Sequence, residues 1–361
     1  MNVLFLPVNI ASMQAITAEA LNGLEGIEAK CLTVNVHKYQ TANSTIIVLP
    51  ERFVSRRNPF KWLYAQWNFK RQLKKWIVWA DVLHYIWGPA YESAKDLRWA
   101  KKMKKPVFIE WAGSDIRDPE LLSEINKYFK YAYNNGYEYR EFEGGDHRKI
   151  VQQQFYDAAA KPLLSPEMSL FLNKKLFPEY LRVLARININ EFIPEFPSVQ
   201  NLKPLIIHSP SAKIAKGSNL IIAVVEELKK EFDFEFMLLH DLKREDVLKI
   251  VQQADIFIDQ IICGGYGMAT MEALAFGKPV LCYLIPELFK AGLPIDCPIV
   301  NTNPDNLREQ LIRLIANPGL RYDIGRQSRV YVEKYHDAQK ISIQLAAIYK
   351  QALAEKNKTN A

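Results

Sequence analysis

Short apolar runs alternate with longer amphipathic segments along this chain. Apolar runs predict buried strands, and segments with apolar residues every three or four positions predict helices. The strands predicted in the first half are Val3–Leu6, Ala29–Val34, Thr45–Leu49, Val82–Ile86 and Val107–Trp111. The helices predicted there are Ser12–Leu21, Phe60–Ala80 and a segment around Tyr91–Met103.

The second half repeats this alternation more regularly. Its predicted strands are Leu205–His208, Phe234–Leu239, Asp255–Asp259 and Val280–Tyr283, and its predicted helices are Ser218–Lys230, Glu245–Ala254 and Met268–Phe276. Strands separated by helices at this spacing form a parallel sheet that helices cover on both faces. The pattern therefore predicts an α/β protein of two doubly wound, Rossmann-like domains that face each other across a cleft.

The length and the prolines predict where the domains divide. A chain of 361 residues fits two domains better than one or three. Phe192–Pro204 contains three prolines and little periodicity, so it is the predicted linker between residues 1–195 and 204–330. Tyr131–Gly145 is rich in tyrosine and glycine and is interpreted as an irregular insertion.

Composition narrows the protein class. No apolar run is long enough for a membrane span, and the start of the chain reads as a buried strand without a basic signal-peptide region. The four cysteines form no CxxC pair, so we expect reduced thiols and a cytoplasmic location. The six histidines show no metal-ligand spacing, so we expect no metal site.

A glycine-rich loop and two upstream lysines are the strongest functional signal. Gly264–Gly267 leads into a helix that carries Glu272, and Lys213 and Lys216 follow an earlier strand. Glycine amides and cations can hold phosphates, and a carboxylate can hold sugar hydroxyls. The alternative is a tight turn with an ordinary helix glutamate and solvated lysines. For Lys213 the two interpretations are equally supported.

The motif HxPSxxxxKG at His208–Gly217 and the segment GGYGMATMEALAFGKPV at Gly264–Val280 give this region a family resemblance. Together they resemble the C-terminal domain of retaining GT-B glycosyltransferases of the glycosyltransferase group 1, family 4-like, superfamily. The resemblance implies that Lys216 contacts the diphosphate of a nucleoside diphosphate sugar and that Glu272 contacts its ribose. It implies further donor contacts from Gly265, Tyr266 and Gly267, metal-independent hexosyl transfer, and a final helix, residues 331–358, that packs on the first domain.

Two departures from the family pattern concern catalysis. A glutamate expected near the donor sugar is replaced by Gly264, and a histidine expected in the first-domain loop is replaced by Ala112. Asp115 could supply a carboxylate toward the acceptor or sugar, or it could cap the turn before Ile116. The alternative function is therefore a catalytically silent GT-B-like protein that binds a sugar nucleotide or supports a partner enzyme.

The basic charge is concentrated in one aromatic segment. The net charge is +7, and Arg52–Trp79 combines basic residues with tryptophan and phenylalanine. One interpretation is contact with an anionic membrane surface, as peripheral association and a lipid-linked acceptor would require. The favoured alternative is an amphipathic helix whose residues Phe60, Leu63, Tyr64 and Trp67 pack on the sheet. No nucleic-acid module accompanies the segment, so nucleic acid is not expected as a partner.

The expected function is transfer of a sugar from a nucleoside diphosphate sugar to a hydroxyl of a glycan or lipid-linked acceptor, in polysaccharide biosynthesis. The donor is a substrate, and no cofactor is expected.

Overall fold

The first half of the chain forms a parallel seven-stranded sheet. The computed structural model describes residues 1–34, 44–55, 57–143 and 146–360. The strand order is β3-β2-β1-β4-β5-β6-β7, with neighbouring strands parallel. The strands are β1 (Asn2–Leu6), β2 (Glu28–Thr33), β3 (Ile46–Val48), β4 (Val82–Ile86), β5 (Val107–Glu110), β6 (Lys161–Leu164) and β7 (Leu181–Arg182).

The second half forms a separate parallel sheet in the order β12-β11-β10-β8-β9. Its strands are β8 (Leu205–His208), β9 (Glu235–Leu238), β10 (Ile256–Ile258), β11 (Val280–Cys282) and β12 (Val300–Asn301). The central strands β8 and β10 are almost fully buried and, apart from His208, apolar, as strands covered by helices on both faces must be. The predicted class of two doubly wound α/β units is confirmed.

Helices connect the strands of both sheets. In the first half they are α1 (Met13–Asn22), α2 (Pro59–Trp79), α3 (Lys95–Lys102), α4 (Pro119–Ile125), α5 (Lys127–Asn134), α6 (Arg140–Glu143), α7 (His147–Asp157) and α8 (Pro166–Ser169). In the second half they are α9 (Lys213–Lys216), α10 (Ser218–Leu228), α11 (Arg244–Gln253), α12 (Met268–Ala275), α13 (Pro286–Lys290), α14 (Leu307–Ile315), α15 (Pro318–Tyr335) and α16 (Ala338–Asn360). A 3₁₀ turn spans Ile189–Glu191.

The prediction of an irregular insertion over Tyr131–Gly145 is wrong, because the segment contains helical residues of α5 and α6. The side chain of Asn126 caps α5 by accepting hydrogen bonds from the amides of Tyr128 and Phe129. Aromatic side chains then bury one face of this helix. The last two residues of the predicted insertion, Gly144 and Gly145, lie outside the described residues.

The favoured prediction for the basic-aromatic helix is also wrong. Phe60, Leu63, Tyr64 and Trp67 do not pack on the sheet; they are 53–82% exposed. The side chains of α2 that enter the core are instead Ala65, Phe69, Leu73 and Ile77, spaced four residues apart. The helix therefore has two apolar stripes, and its N-terminal stripe faces solvent. Arg56, within the predicted Arg52–Trp79 segment, lies outside the described residues.

The chain passes between the two sheets twice, and the two crossings run side by side. Ile187 follows β7 and Asp337 precedes α16, and these residues form a parallel bridge. Beyond the bridge, α16 packs against α1, and its side chains Ile341, Leu345 and Tyr349 join the core of the first sheet. Residues 192–204 contain no helix or strand. The domain limits at 195, 204 and 330 stay predictions.

Candidate functional site

The glycine loop Gly264–Gly267 follows β10 and leads into α12, at the carboxyl end of the second sheet. Gly264 has a φ of 87°, and a Cβ there would lie 2.6 Å from Cγ2 of Ile285. Both the backbone conformation and the close contact therefore require glycine. Ligands of parallel α/β sheets bind at this end of the strands. The loop thus has the location that the sequence predicts.

Lys216 ends the short helix α9, and its ammonium pairs with the buried carboxylate of Asp259. Gly217 allows the abrupt turn into α10, because its φ is 79° and a Cβ there would lie 2.6 Å from Cγ1 of Ile261. Burial alone would lower the pKa of Lys216, but the charge of Asp259 raises it above its usual value. Lys216 is therefore held charged and fixed.

Asp259 joins the lysine to the glycine-loop helix. Its second carboxylate oxygen, Oδ2, accepts a hydrogen bond of 2.5 Å from Oγ1 of Thr270, on α12. Burial would raise the pKa of Asp259, but Lys216 lowers it, so the carboxylate is ionised. The sequence placed Asp259 at the end of a predicted strand and gave it no role in the site. The pairing with Lys216 was not visible, because the two residues meet only through the sheet.

Glu272 lies on the same helix and is held by Arg244 at the start of α11. The Arg244 Nη2–Glu272 Oε1 distance is 2.5 Å, and Arg244 Nε lies 3.1 Å from the same oxygen. Burial raises the pKa of Glu272, and the Arg244 charge opposes that rise. Arg244 is a site residue that sequence analysis missed. Its only signal was a cation directly before the predicted helix Glu245–Ala254, at the end of a helix where cations are unfavourable.

Lys213 is exposed at the start of α9 and takes no part in the ion pair of Lys216 with Asp259. The amides beside it belong to Ile214 and Ala215, and they donate to the carboxylate of Glu138 at 2.7 and 2.9 Å. Glu138 belongs to the first half of the chain, so this contact crosses between the two sheets. It places an acidic side chain at backbone amides near Lys216.

The Asp115 side chain caps the turn in which it lies, in the first domain. Its carboxylate accepts hydrogen bonds from the amides of Ala112, at 3.1 Å, and Gly113, at 2.7 Å. Burial raises the pKa of Asp115 to about 7, and these amides oppose the rise. These contacts are the ones expected if Asp115 caps the turn before Ile116. A role toward acceptor or sugar stays a prediction.

A cavity between the two sheets brings the two halves of the predicted site together. The first domain lines it with Trp111, Ala112 and Glu167, and the second lines it with Tyr266 and Gly267. Lys213, Lys216, Glu272 and Asp115 are not among its described lining residues. The glycine loop thus borders the cleft directly through Tyr266 and Gly267, whereas the lysines and Glu272 do not line it.

Comparison with known proteins agrees with this architecture. Residues 233–331 match the family described as glycosyl transferases group 1. Sucrose-phosphate synthase from Thermosynechococcus elongatus is similar in structure, with a TM-score of 0.65, 14% identity, and coverage of 98% of this chain and 99% of that chain. The chain therefore has the GT-B fold, and a segment of its second half is similar to group 1 glycosyl transferases.

Two other GT-B structures are similar over almost the whole length. A glycosyltransferase from Rickettsia africae has a TM-score of 0.62 at 15% identity, with 98% of each chain covered. Anabaena Alr3699/HepE, solved in complex with UDP-glucose, has a TM-score of 0.60 at 12% identity, with 97% of this chain and 100% of that chain covered. No curated protein matches the sequence.

Tyr266 anchors the glycine loop of this GT-B protein to the second crossing. Its hydroxyl lies 3.0 Å from Nε2 of His336 and 3.0 Å from the hydroxyl of Tyr331. Nδ1 of His336 lies 2.6 Å from the carbonyl oxygen of Ala185, on the first crossing. Burial lowers the pKa of His336 to about 4, so the ring is neutral near pH 7. The loop and both crossings are therefore linked by hydrogen bonds.

The described part of this GT-B chain shows no cluster of side chains suited to bind a metal ion. Within residues 1–34, 44–55, 57–143 and 146–360, no three His, Cys, Asp or Glu side chains group closely enough to hold a metal ion. Metal independence stays a prediction.

Proposed function

We propose that this GT-B protein transfers a sugar from a nucleoside diphosphate sugar to a hydroxyl of a glycan or lipid-linked acceptor, with retention of anomeric configuration. The observation that carries the proposal is the position of the glycine loop. It follows β10 of the second sheet and borders a cavity that Ala112 and Glu167 also line. The similar fold of HepE, solved with UDP-glucose, supports a sugar nucleotide as donor.

Each predicted residue has a role in this proposal. Glu272, oriented by Arg244, accepts hydrogen bonds from ribose hydroxyls. The amides of Gly265, Tyr266 and Gly267 face the diphosphate, with the partial positive charge at the start of α12 behind them. Lys216 and the exposed Lys213 stabilise charge on the leaving diphosphate.

Lysine charge and the amides make a bound metal unnecessary in this scheme. Asp115 keeps two roles in the proposal, turn cap and carboxylate toward acceptor or sugar. Its contacts with the amides of Ala112 and Gly113 favour the first. Closure of the cleft excludes water, which otherwise hydrolyses the donor.

A thermal-shift panel tests donor binding. UDP-glucose, GDP-mannose, ADP-glucose and dTDP-glucose are each added to the full chain, and we expect one nucleotide class to raise the Tm selectively. The stabilising donor is then assayed for turnover with and without lipid-extract acceptors. Binding without any turnover would favour the catalytically silent alternative, and no stabilisation by any donor would refute the proposal.

The exposed stripe of α2 favours a membrane-surface location for the acceptor. Phe60, Leu63, Tyr64 and Trp67 are exposed on one helix, and its cations are exposed beside them. The exposed cations of the helix are Lys61, Lys70, Arg71, Lys74 and Lys75, and Arg57 is exposed directly before its N-cap. Aromatic and aliphatic side chains insert at the headgroup level while cations attract anionic lipid. Of the helices in the described ranges, none has the length and apolarity that crossing a bilayer requires.

From the exposed stripe of α2 we propose that the protein is a cytoplasmic enzyme that docks peripherally on an anionic membrane. Flotation with vesicles of phosphatidylglycerol and phosphatidylcholine at low salt tests it. Phe60→Ser with Trp67→Ser should abolish flotation, whereas the control Phe289→Ser with Ile295→Ser, at exposed positions of the other domain, should not. A wild-type protein that stays in the dense fraction would remove the idea.

A further inference from the structure

Glu167 lies against the glycine loop although it belongs to the first domain. It is carried by α8, which starts directly after β6, and the hydroxyl of Ser165 caps this short helix. A Cβ placed on Gly265 would overlap the Glu167 carboxylate, with its carboxyl carbon only 2.5 Å away. A residue larger than glycine at position 265 would therefore displace the carboxylate from the loop.

Arg117 orients this carboxylate and leaves one oxygen toward the loop. Nη2 of Arg117 lies 3.2 Å from Oε1 of Glu167, and Nη1 lies 2.6 Å from Oε1 of Glu143. The guanidinium is mostly buried, with 13% of its side chain exposed, so its position is fixed by two carboxylates. Among the residues that the structure describes, none donates a hydrogen bond to Oε2 of Glu167.

The cleft cavity has one other carboxylate in its described lining, Glu110, and that group is fully engaged. Arg186 donates to both oxygens of Glu110, at 2.7 and 2.8 Å, and both side chains are buried. Burial would raise the pKa of Glu110, but Arg186 and His84 lower it to about 2. Glu110 is thus a structural anion. Glu167 is the carboxylate that can meet a ligand in this cavity.

We propose that Glu167 binds the sugar of the donor, accepting hydrogen bonds from its hydroxyls above the glycine loop. The inference rests on the proposed function, because the amides of that loop are assigned there to the diphosphate. A sugar attached to this diphosphate lies next to the loop, on the cleft side, where Oε2 is placed. Gly265 leaves room for a carboxylate, and the opposite domain supplies it through Glu167.

The test separates the sugar from the nucleotide. Calorimetric affinities of the full chain are measured for four pairs: UDP with UDP-glucose, GDP with GDP-mannose, ADP with ADP-glucose, and dTDP with dTDP-glucose. For the pair that binds, Glu167→Ala should weaken the sugar nucleotide by about tenfold or more, since a charge-assisted hydrogen bond is lost. Affinity for the free nucleoside diphosphate should change less than about twofold, because the proposal assigns Glu167 to the sugar and not to the nucleotide.

Glu143→Gln is the matched control. It removes the other carboxylate partner of Arg117 but leaves the group that faces Gly265. If Glu167 merely holds Arg117, both variants should lose the same affinity, and the proposal is overturned. Glu167→Gln preserves the shape and an acceptor for Arg117, so it should fold as the wild type by circular dichroism and still lose most of the sugar contribution.

The failures of the two proposals are distinguishable. If the wild type binds none of the four pairs, the proposed function fails, and the assignment of Glu167 fails with it. If the wild type binds a pair and Glu167→Ala keeps the full difference between nucleotide and sugar nucleotide, only the assignment of Glu167 is wrong. A retained nucleotide affinity with a lost sugar contribution supports both.

Discussion

Replacing Lys216 should damage folding as well as catalysis, and the structure allows the two effects to be separated. The ammonium of Lys216 pairs with Asp259, and the side chains are 14% and 2% exposed. Lys216→Met removes the cation but keeps most of the side-chain volume. It therefore leaves a buried carboxylate whose remaining described side-chain donor is Thr270.

Breaking a buried ion pair by removing one partner costs about 3–5 kcal/mol. Thr270 still donates to Asp259, so we expect the lower end, about 3 kcal/mol, for Lys216→Met. Asp259→Asn in the same chain removes the uncompensated charge and keeps an oxygen that can accept from Thr270. The double variant should therefore recover most of the lost free energy of unfolding.

Urea unfolding of the wild type, both single variants and the double variant measures the coupling between the two residues. Turnover of the donor is then compared in the wild type and the double variant, which should be similarly stable. If Lys216 stabilises the leaving diphosphate, turnover in the double variant should fall by about 100-fold or more.

Two results would refute this reasoning. A Lys216→Met variant as stable as the wild type would mean that the ion pair between Lys216 and Asp259 does not stabilise the fold. A stable double variant with unchanged turnover would mean that Lys216 acts only in the fold, and the diphosphate would then be held by other groups.

Three further predictions concern pH, ribose binding and the α9 turn. Lowering the pH from 7.5 to 5.5 should cost about 1 kcal/mol for each of His208 and His336, because burial lowers both pKa values to about 4 and the unfolded chain protonates first. An unchanged urea midpoint would contradict this. Arg244→Met should weaken nucleoside diphosphate binding about tenfold in calorimetry by removing the cation that orients Glu272; unaltered affinity would exclude that role. Gly217→Ala should lower stability by about 3 kcal/mol, because its φ of 79° and a close side-chain contact exclude a Cβ; thermal unfolding at the wild-type Tm would disprove it.

The strand and helix pattern predicted the two parallel sheets because buried strands and amphipathic helices have different periods. The same pattern failed for α2. Helical periodicity shows that Phe60, Leu63, Tyr64 and Trp67 share one side of a helix, but it does not show what covers that side. The residues of α2 that are buried form a second stripe with the same helical period. They are Ala65, Phe69, Leu73 and Ile77.

The candidate site was predictable where neighbours in sequence are neighbours in space. The glycine loop and Glu272 belong to one strand-loop-helix unit, so their location followed from the motif. The partners of the charged groups come from other strands and helices. Asp259 meets Lys216 through the second sheet, Arg244 reaches Glu272 from the preceding helix, and Glu167 crosses from the other domain. No local pattern encodes these contacts.

The bridge between Ile187 and Asp337 limits how the two halves of the protein can move apart. A single connecting segment would let one domain rotate freely relative to the other. Two adjacent segments restrain that rotation and leave bending about the crossings as the easier movement. Tyr266 contacts His336, the residue before the bridge, so the same bend displaces the glycine loop. We therefore expect the width of the gap between the two sheets and the conformation of Gly264–Gly267 to change together.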